Sequence, residues 1–384
     1  MPIKNRISDF EKEMIKWRHY FHQYPELAYE EKNTSKKIVT LLKEFGIDKI
    51  EEGVGGTGVV GEINNGKGKS IGLRADMDAL PIQEENKDNK YRSKNKGVMH
   101  ACGHDGHTTM LLGAAKYLSE TRNFKGKVVL VFQPAEEGFA GAKAMIDDGL
   151  LERFPIDEIY GMHNMPGLEK GVLAVQEGPR LAAADNFSVE IIGKGAHGAM
   201  PSNSIDPIVC CSSIIQNLQH IVSRNSNPKE TLVVTVASFN SGSANNIIPK
   251  SAIITGTVRY YNYDIGKLAE KRFKEIIINT CKAYGARSKI VFTKGYPATI
   301  NHENPSSFAF SAAKKVVGLK ATDKQNPMMG SEDFSYFLNK VPGAFAWIGN
   351  GKSASLHNPK YDFNDDVLSI GSSYLSTLAE DFLK

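Results

Sequence analysis

Residues 127–138 read KVVLVFQPAEEG. The apolar run that ends at Phe132 is too short for a helix and rich in valine, as expected of a strand covered on both faces. Directly behind it stand two adjacent carboxylates, Glu136 and Glu137. Paired carboxylates at the end of a buried strand are costly unless they bind a cation or share a proton. A buried strand that delivers such groups at its carboxyl end points to an open α/β sheet, where sites form at that edge. If the segment stays extended, neighbouring side chains point apart, so one carboxylate can ligate a cation while the other faces a water as general base. The plainer reading is an exposed helix N-terminus, where acids are favoured by the dipole.

The surrounding sequence extends the α/β pattern. Apolar segments at 57–63, 70–75 and 158–162 read as strands, with Asn64-Asn65-Gly66 as a hairpin signal between the first two. Helical periodicity covers 33–45, ended by Gly46, and recurs at 107–118 and 141–148. Ser8 and Glu11 form a capping box ahead of the stripe Phe10, Met14, Trp17 and Phe21. From 184 the order changes: strand 187–192, helix 207–222, strands 231–238 and 251–260, helix 266–284, strand 288–293. That is the ferredoxin-like β-α-β-β-α-β arrangement. Segments at 306–317, 331–338, 344–348 and 367–383 then restore the α/β alternation. The expected architecture is α/β: a discontinuous three-layer αβα domain with a mostly parallel or mixed sheet over 1–183 and 296–384. It is interrupted by an α+β ferredoxin-like domain over 184–295.

Composition narrows the function. Among 384 residues, 47 Lys and Arg stand against 43 Asp and Glu, a net +4 spread along the chain, which offers no electrostatic footprint for nucleic acid or a membrane surface. No window approaches 18 consecutive apolar residues and the polar N-terminus has no apolar signal core, so the expected location is the cytoplasm. The four cysteines, Cys102, Cys210, Cys211 and Cys281, are too few for a disulfide framework, and the adjacent pair falls in an apolar helical pattern.

The densest chemical signal is HACGHDGH at 100–107, with three of the ten histidines in eight residues. Imidazole and thiolate suit a borderline metal such as Zn²⁺, and the spacing Cys102, Gly103, His104 lets both side chains converge from an extended loop. A loop that happens to be His-rich is the plainer alternative. RADMDALP at 74–81 places Asp76 and Asp78 two apart, where either could hold a ligand histidine in one tautomer or simply cap a turn. His163 and His357, in MHN and LHNP, are each unremarkable alone. Together, Asp78, the Glu136–Glu137 pair and His163 all fall just past the carboxyl end of an expected strand, and one metal-hydrolase site accounts for all of them. Gly53, Gly55 and Gly58 match G-x-G-x-x-G, but they lead into a strand instead of opening a helix, so a dinucleotide site is excluded and the glycines mark a turn. No phosphate-binding P-loop motif occurs.

These motifs resemble peptidase family M20, in particular its subfamily D, which includes hippurate hydrolase, the indoleacetyl-amino-acid hydrolases and N-acetyldiaminopimelate deacetylase. The likeness runs through YPEL at 24–27, GLRADMDALP at 72–81, HACGHDGH at 100–107, QPAEEG at 133–138, GAHG at 195–198, NIIP at 246–249, GSEDF at 330–334 and His357-Asn358. It implies a two-metal site with Cys102, His104, Glu137, His163 and His357 as ligands. Five side chains cannot complete two coordination spheres, so one must bridge, and the family likeness points to Cys102. The resemblance leaves Zn²⁺ and Mn²⁺ as the leading ions, with Co²⁺ and Ni²⁺ open. It implies Glu136 as general base and acid, and Asp78 as the residue that orients a ligand and the base. The inserted domain resembles the family's lid and dimerisation domain. There His197 would reach a neighbouring subunit's site to stabilise an oxyanion. Asn246 matches a family position, and Arg259 is suited to grip a substrate carboxylate.

The implied protein is a homodimeric or higher homo-oligomeric hydrolase of small N-acyl amino acids, with hippurate-type substrates leading. N-acetyl amino acid or N-acetyldiaminopimelate deacetylation, or indoleacetyl-amino-acid hydrolysis, is the alternative within the subfamily. Two further alternatives stand apart: a thiol hydrolase with Cys102 as nucleophile and His104 or His107 as base, and a binding protein that kept the fold without catalysis.

Overall fold

The computed structural model describes residues 4–384. They divide into two compact units, the larger built from 4–180, 300–326 and 333–384, the smaller from 181–299 and 327–332.

The larger unit is a mixed α/β structure around an eight-stranded sheet. Its order is Lys49–Val54, Gly58–Asn65, Gly126–Gln133, Ser70–Asp76, Glu158–Pro166, Gly343–Gly351, Leu173–Ala174 and Ala321–Thr322. The apolar run of 127–132 lies in the third of these, between two neighbours, with Val128 to Phe132 wholly buried. Four strands, 70–76, 126–133, 158–166 and 343–351, run parallel, so their carboxyl ends share one edge. The helices His104–Thr121, Leu368–Phe382 and Glu11–Gln23 pack against one another and contribute Leu111, Leu112, Leu375, Leu378, Met14 and Phe21 to one large core.

Several local expectations are corrected. Asn64-Asn65-Gly66 reverses the chain, but 58–65 and 70–76 do not pair: strand 126–133 lies between them, antiparallel to one and parallel to the other. A turn fixes a change of direction and leaves open which strand fills the gap. The hairpin partner of 58–65 is 49–54, which the sequence reading missed, and Gly53 and Gly55 sit at positive φ in and beside the turn that joins them. Ser8 caps nothing: it lies inside a short helix Asn5–Asp9, and the next helix starts at Glu11 behind Phe10 without a side-chain cap. Within the segment 331–338 only Ser335–Leu338 is regular, as a single helical turn.

The smaller unit has the ferredoxin-like order. Strands Leu232–Ser241, Ser251–Tyr260, Ala183–Ile192 and Arg287–Thr293 are neighbours in that order, all antiparallel. Its two helices are well started. The Asp206 carboxylate accepts the amides of Ile208 and Val209 ahead of Pro207, and the Asn262 side chain accepts that of Asp264. Cys210, Cys211 and Cys281 are buried among Ile214, Leu218, Phe273 and Ile277 as free thiols. Among the described residues no helix is long and apolar enough to cross a membrane.

Candidate active site

The parallel edge gathers the chemistry of the larger unit. Gly103 adopts φ 92°, and a Cβ there would lie 2.2 Å from Asn164 Nδ2 and 2.6 Å from the Tyr361 hydroxyl, so only glycine fits. The helix 104–121 starts immediately after it, so His104 stands on a helix instead of the extended loop read from the sequence. Its Nδ1 lies 2.9 Å from the carbonyl of Asp78 and 3.1 Å from its Oδ1. The ring therefore donates to Asp78 through Nδ1, and Nε2, fully buried, makes no hydrogen bond. Burial works against a charged imidazole, but Asp76, Asp78 and Glu137 outweigh it and lift the His104 pKa to about 10. This cavity is strongly negative and calls for a cation at Nε2.

His163 is not past the end of its strand. Strand 158–166 runs further than the apolar run suggested and carries His163 within it. Its Nδ1 donates to the Asn164 carbonyl, its Nε2 lies 3.3 Å from Cys102 Sγ, and burial first, then nearby His107, holds its pKa well below the ordinary histidine value. A neutral imidazole with Nε2 turned to a thiol is what a metal ligand requires.

Glu136 and Glu137 do not sit in an extended segment either. They open a tight turn, Glu136–Phe139, which leaves helical geometry at Glu137 (φ −72°, ψ 71°) and Gly138 (φ 87°) and is entered through Ala135 at φ 54° and left through Ala140 at φ 56°. Such non-glycine residues each cost on the order of 1–3 kcal/mol and concentrate at functional sites. Of the five in the described residues, Ala135, Ala140, Tyr29 and His357 all lie in this region; only Arg122 does not. Oε1 of Glu137 is buried, forms no hydrogen bond, and lies 3.3 Å from Nε2 of His357 and 3.9 Å from that of His104. Burial opposes its charge, but His357 and His104 hold its pKa below the usual carboxylate range. Asp78 Oδ2 accepts the Glu137 amide at 3.0 Å, so one carboxylate fixes both His104 and the turn. Glu136 is buried, and its Oε1 lies 3.4 Å from the amide nitrogen of Asp333.

The five residues expected as ligands thus come together. Donor atoms of Cys102, His104 and His163 lie within 4.8 Å of one another, as do those of Cys102, Glu137 and His357, and Cys102 belongs to both groups. Two buried donor atoms without hydrogen bonds, a shared thiol and a mixed N, O and S donor set fit a pair of divalent cations.

The same geometry argues against a thiol nucleophile. Burial first, then Glu137 and Glu136, pushes the Cys102 thiol well above its ordinary value, opposite to an activated thiolate. His107 is unavailable as its base, because Nδ1 donates to Asp76 at 2.6 Å and Nε2 accepts the Asn164 amide at 2.9 Å.

Sequence reasoning missed the supporting shell. Arg74, with no exposed side-chain surface, bonds Gln133, Asp76 and Asp333. Asn164 donates to the Cys102 carbonyl and accepts from Tyr361. Glu31 accepts the Ala135 amide. Gln133 and Asp333 lay in QPAEEG and GSEDF, where a polar residue beside a buried strand end was the available signal.

His197, Asn246 and Arg259 belong to the smaller unit. His197 and Asn246 are neighbours there: the two-residue strands Ala196–His197 and Ile247–Ile248 pair, and the Gly198 amide donates to the Asn246 carbonyl at 2.7 Å. His197 is exposed, and its Nδ1 accepts the Ala199 amide, which leaves the ring proton on Nε2. Arg259 on strand 251–260 is half-buried and donates to the Thr257 hydroxyl and the Met329 carbonyl.

Comparison with known proteins gives the family. The profile of peptidase family M20/M25/M40 matches residues 72–381. A hippurate hydrolase of Campylobacter jejuni is 44% identical over the whole of both chains. An N-acetyl-L-cysteine deacetylase of Bacillus subtilis is 41% identical, with 98% of this chain and 90% of the relative covered. A crystal structure of a Bacillus subtilis protein described as a dinuclear metal-binding peptidase of the M20 family superposes with TM-score 0.86 at 34% identity, covering 98% of this chain and 99% of that one. The protein belongs to peptidase family M20/M25/M40 and is a hydrolase that acts on amides.

Proposed function

We propose that this metal-dependent amidohydrolase cleaves N-acyl amino acids, with N-benzoylglycine-type substrates preferred, to a carboxylate and a free amino acid. The observation that carries the reading is Cys102 shared between two donor groups, His104 with His163 and Glu137 with His357, beside a buried Glu136. Cys102, His104, Glu137, His163 and His357 would hold the cations, Zn²⁺ or Mn²⁺. Bound there, two divalent ions supply Lewis acidity toward the amide carbonyl and lower the pKa of a water toward neutrality.

The chain's own residues do the rest. Glu136 accepts a proton from the attacking water and passes it to the leaving nitrogen. Asp78 keeps the His104 ring and the Glu137 amide in register. In the smaller unit, Arg259 pairs with the substrate carboxylate alongside Asn246. His197 offers its Nε2 proton to the developing oxyanion of a neighbouring subunit, in a homodimer joined through that unit. Free buried thiols are consistent with a cytoplasmic setting.

The reading is tested by assaying N-benzoyl, N-acetyl and N-indoleacetyl amino acids on one metal-analysed sample, before and after chelation. Benzoylglycine should give the highest kcat/KM, fall more than a hundredfold on chelation and recover with Zn²⁺, Mn²⁺ or Co²⁺. Full activity after exhaustive metal removal would return the thiol mechanism, and binding without turnover would leave a binding protein.

A further inference from the structure

Phe139 is an anomaly in the turn that carries Glu136 and Glu137. Its side chain is 62% exposed, and among the large hydrophobic residues described only Tyr263 and Leu319 are more so. The turn holds this ring in water at the cost of left-handed backbone on both sides, at Ala135 and Ala140. Tyr29, from the preceding YPEL loop region, is placed against it with φ 61°, itself a conformation that aromatic residues rarely adopt. The two rings meet edge to face with centroids 6.4 Å apart and planes at 77°. The Tyr29 hydroxyl donates to the Phe139 carbonyl at 3.0 Å, so the ring is tied to the backbone of the turn itself. Glu31, from the same loop, holds the start of that turn through the Ala135 amide. Phe139 closes the turn that carries Glu136 and Glu137, so the bond from the Tyr29 hydroxyl holds both rings beside the candidate site.

Two exposed aromatic rings at nearly a right angle, clamped to the turn that bears the base, form an open amphipathic corner, the kind that takes a further aromatic ring by edge or face. A small acyl group such as acetyl gains little from it. We infer that Tyr29 and Phe139 form the acyl-group subsite and select planar aromatic acyl groups, such as benzoyl, over acetyl. This rests on the amidohydrolase reading above and names what recognises the acyl half of the substrate.

The test compares kcat/KM for N-benzoylglycine and N-acetylglycine, which share the amino acid half, in the metal-loaded full chain. The benzoyl-to-acetyl ratio should fall about tenfold in Phe139→Ala, chiefly through KM for the benzoyl substrate, and return toward wild type in Phe139→Tyr. Because the ratio is independent of the fraction of active enzyme, partial misfolding does not imitate the effect. A ratio within twofold of wild type in Phe139→Ala would overturn the subsite while leaving the amidohydrolase reading intact; a wild-type enzyme that favours acetylglycine would overturn the subsite and the benzoyl preference, leaving only N-acyl amino acid hydrolysis. A metal-loaded wild type that hydrolyses neither substrate overturns both.

Discussion

The Sγ of Cys102 lies 3.3 Å from Nε2 of His163, although one stands just before the helix 104–121 and the other inside a central strand. The same thiol also groups with Glu137 and His357. A single side chain therefore joins the two halves of the donor set, and the halves should not be separable through it.

Cys102→Ala should lower the content of both metal ions, whereas His357→Ala should lower mainly one. Metal analysis after gel filtration reads this directly. Loss of only one equivalent in Cys102→Ala would show that the thiol does not bridge.

Glu136→Gln keeps the size of the side chain and removes the proton acceptor. Turnover should fall by about 10²–10⁴-fold, with metal content unchanged. Mixed with His197→Ala chains under conditions of subunit exchange, this variant should regain part of the activity, because one hybrid site then holds both intact residues. No recovery despite demonstrated exchange would remove His197 from a neighbour's site.

Asp76 is buried between Arg74 and His107, at 2.7 Å and 2.6 Å. Burial opposes its charge, but His104, Arg74 and His107 hold its pKa well below the usual carboxylate value. Asp76→Asn strips the charge from a buried pair, a change that costs about 3–5 kcal/mol when a partner is lost, and frees His107 to rotate. Urea denaturation should show a lower midpoint. An unchanged midpoint would mean that Asp333 alone satisfies Arg74.

His22 is buried against Asp105 and Glu84, at 2.8 Å and 3.4 Å. Burial lowers its pKa, but the two carboxylates win and raise it from 6.5 to about 9. Its folded value is above its unfolded one, so its contribution is fully present below about pH 6.5 and is lost as pH rises through about 9. The melting temperature of the wild type should fall by a few degrees more than that of His22→Gln between pH 6 and 9.5. Parallel curves would place the proton elsewhere.

The sequence by itself determined the chemical class of the protein and much of its architecture. Periodicity found the buried strand at 127–132 and the β-α-β-β-α-β order of the smaller unit, because alternation and apolar runs are local properties. The residue types of a metal hydrolase were legible for the same reason: Cys102 and His104 are two apart, and Glu136 and Glu137 are adjacent. Pairing was not local. Strand 126–133 enters between 58–65 and 70–76 from fifty residues downstream, which no turn signal at Asn64-Asn65-Gly66 could announce. Nor could spacing show that Asp76 serves His107 while Asp78 serves His104, since both aspartates lie on one short segment and only the start of helix 104–121 decides which imidazole each meets. The tertiary structure alone brought the Tyr29 hydroxyl to the Phe139 carbonyl. It also buried Oε1 of Glu137 and Nε2 of His104 without hydrogen-bond partners, and desolvation turns those ordinary side chains into a demand for a cation.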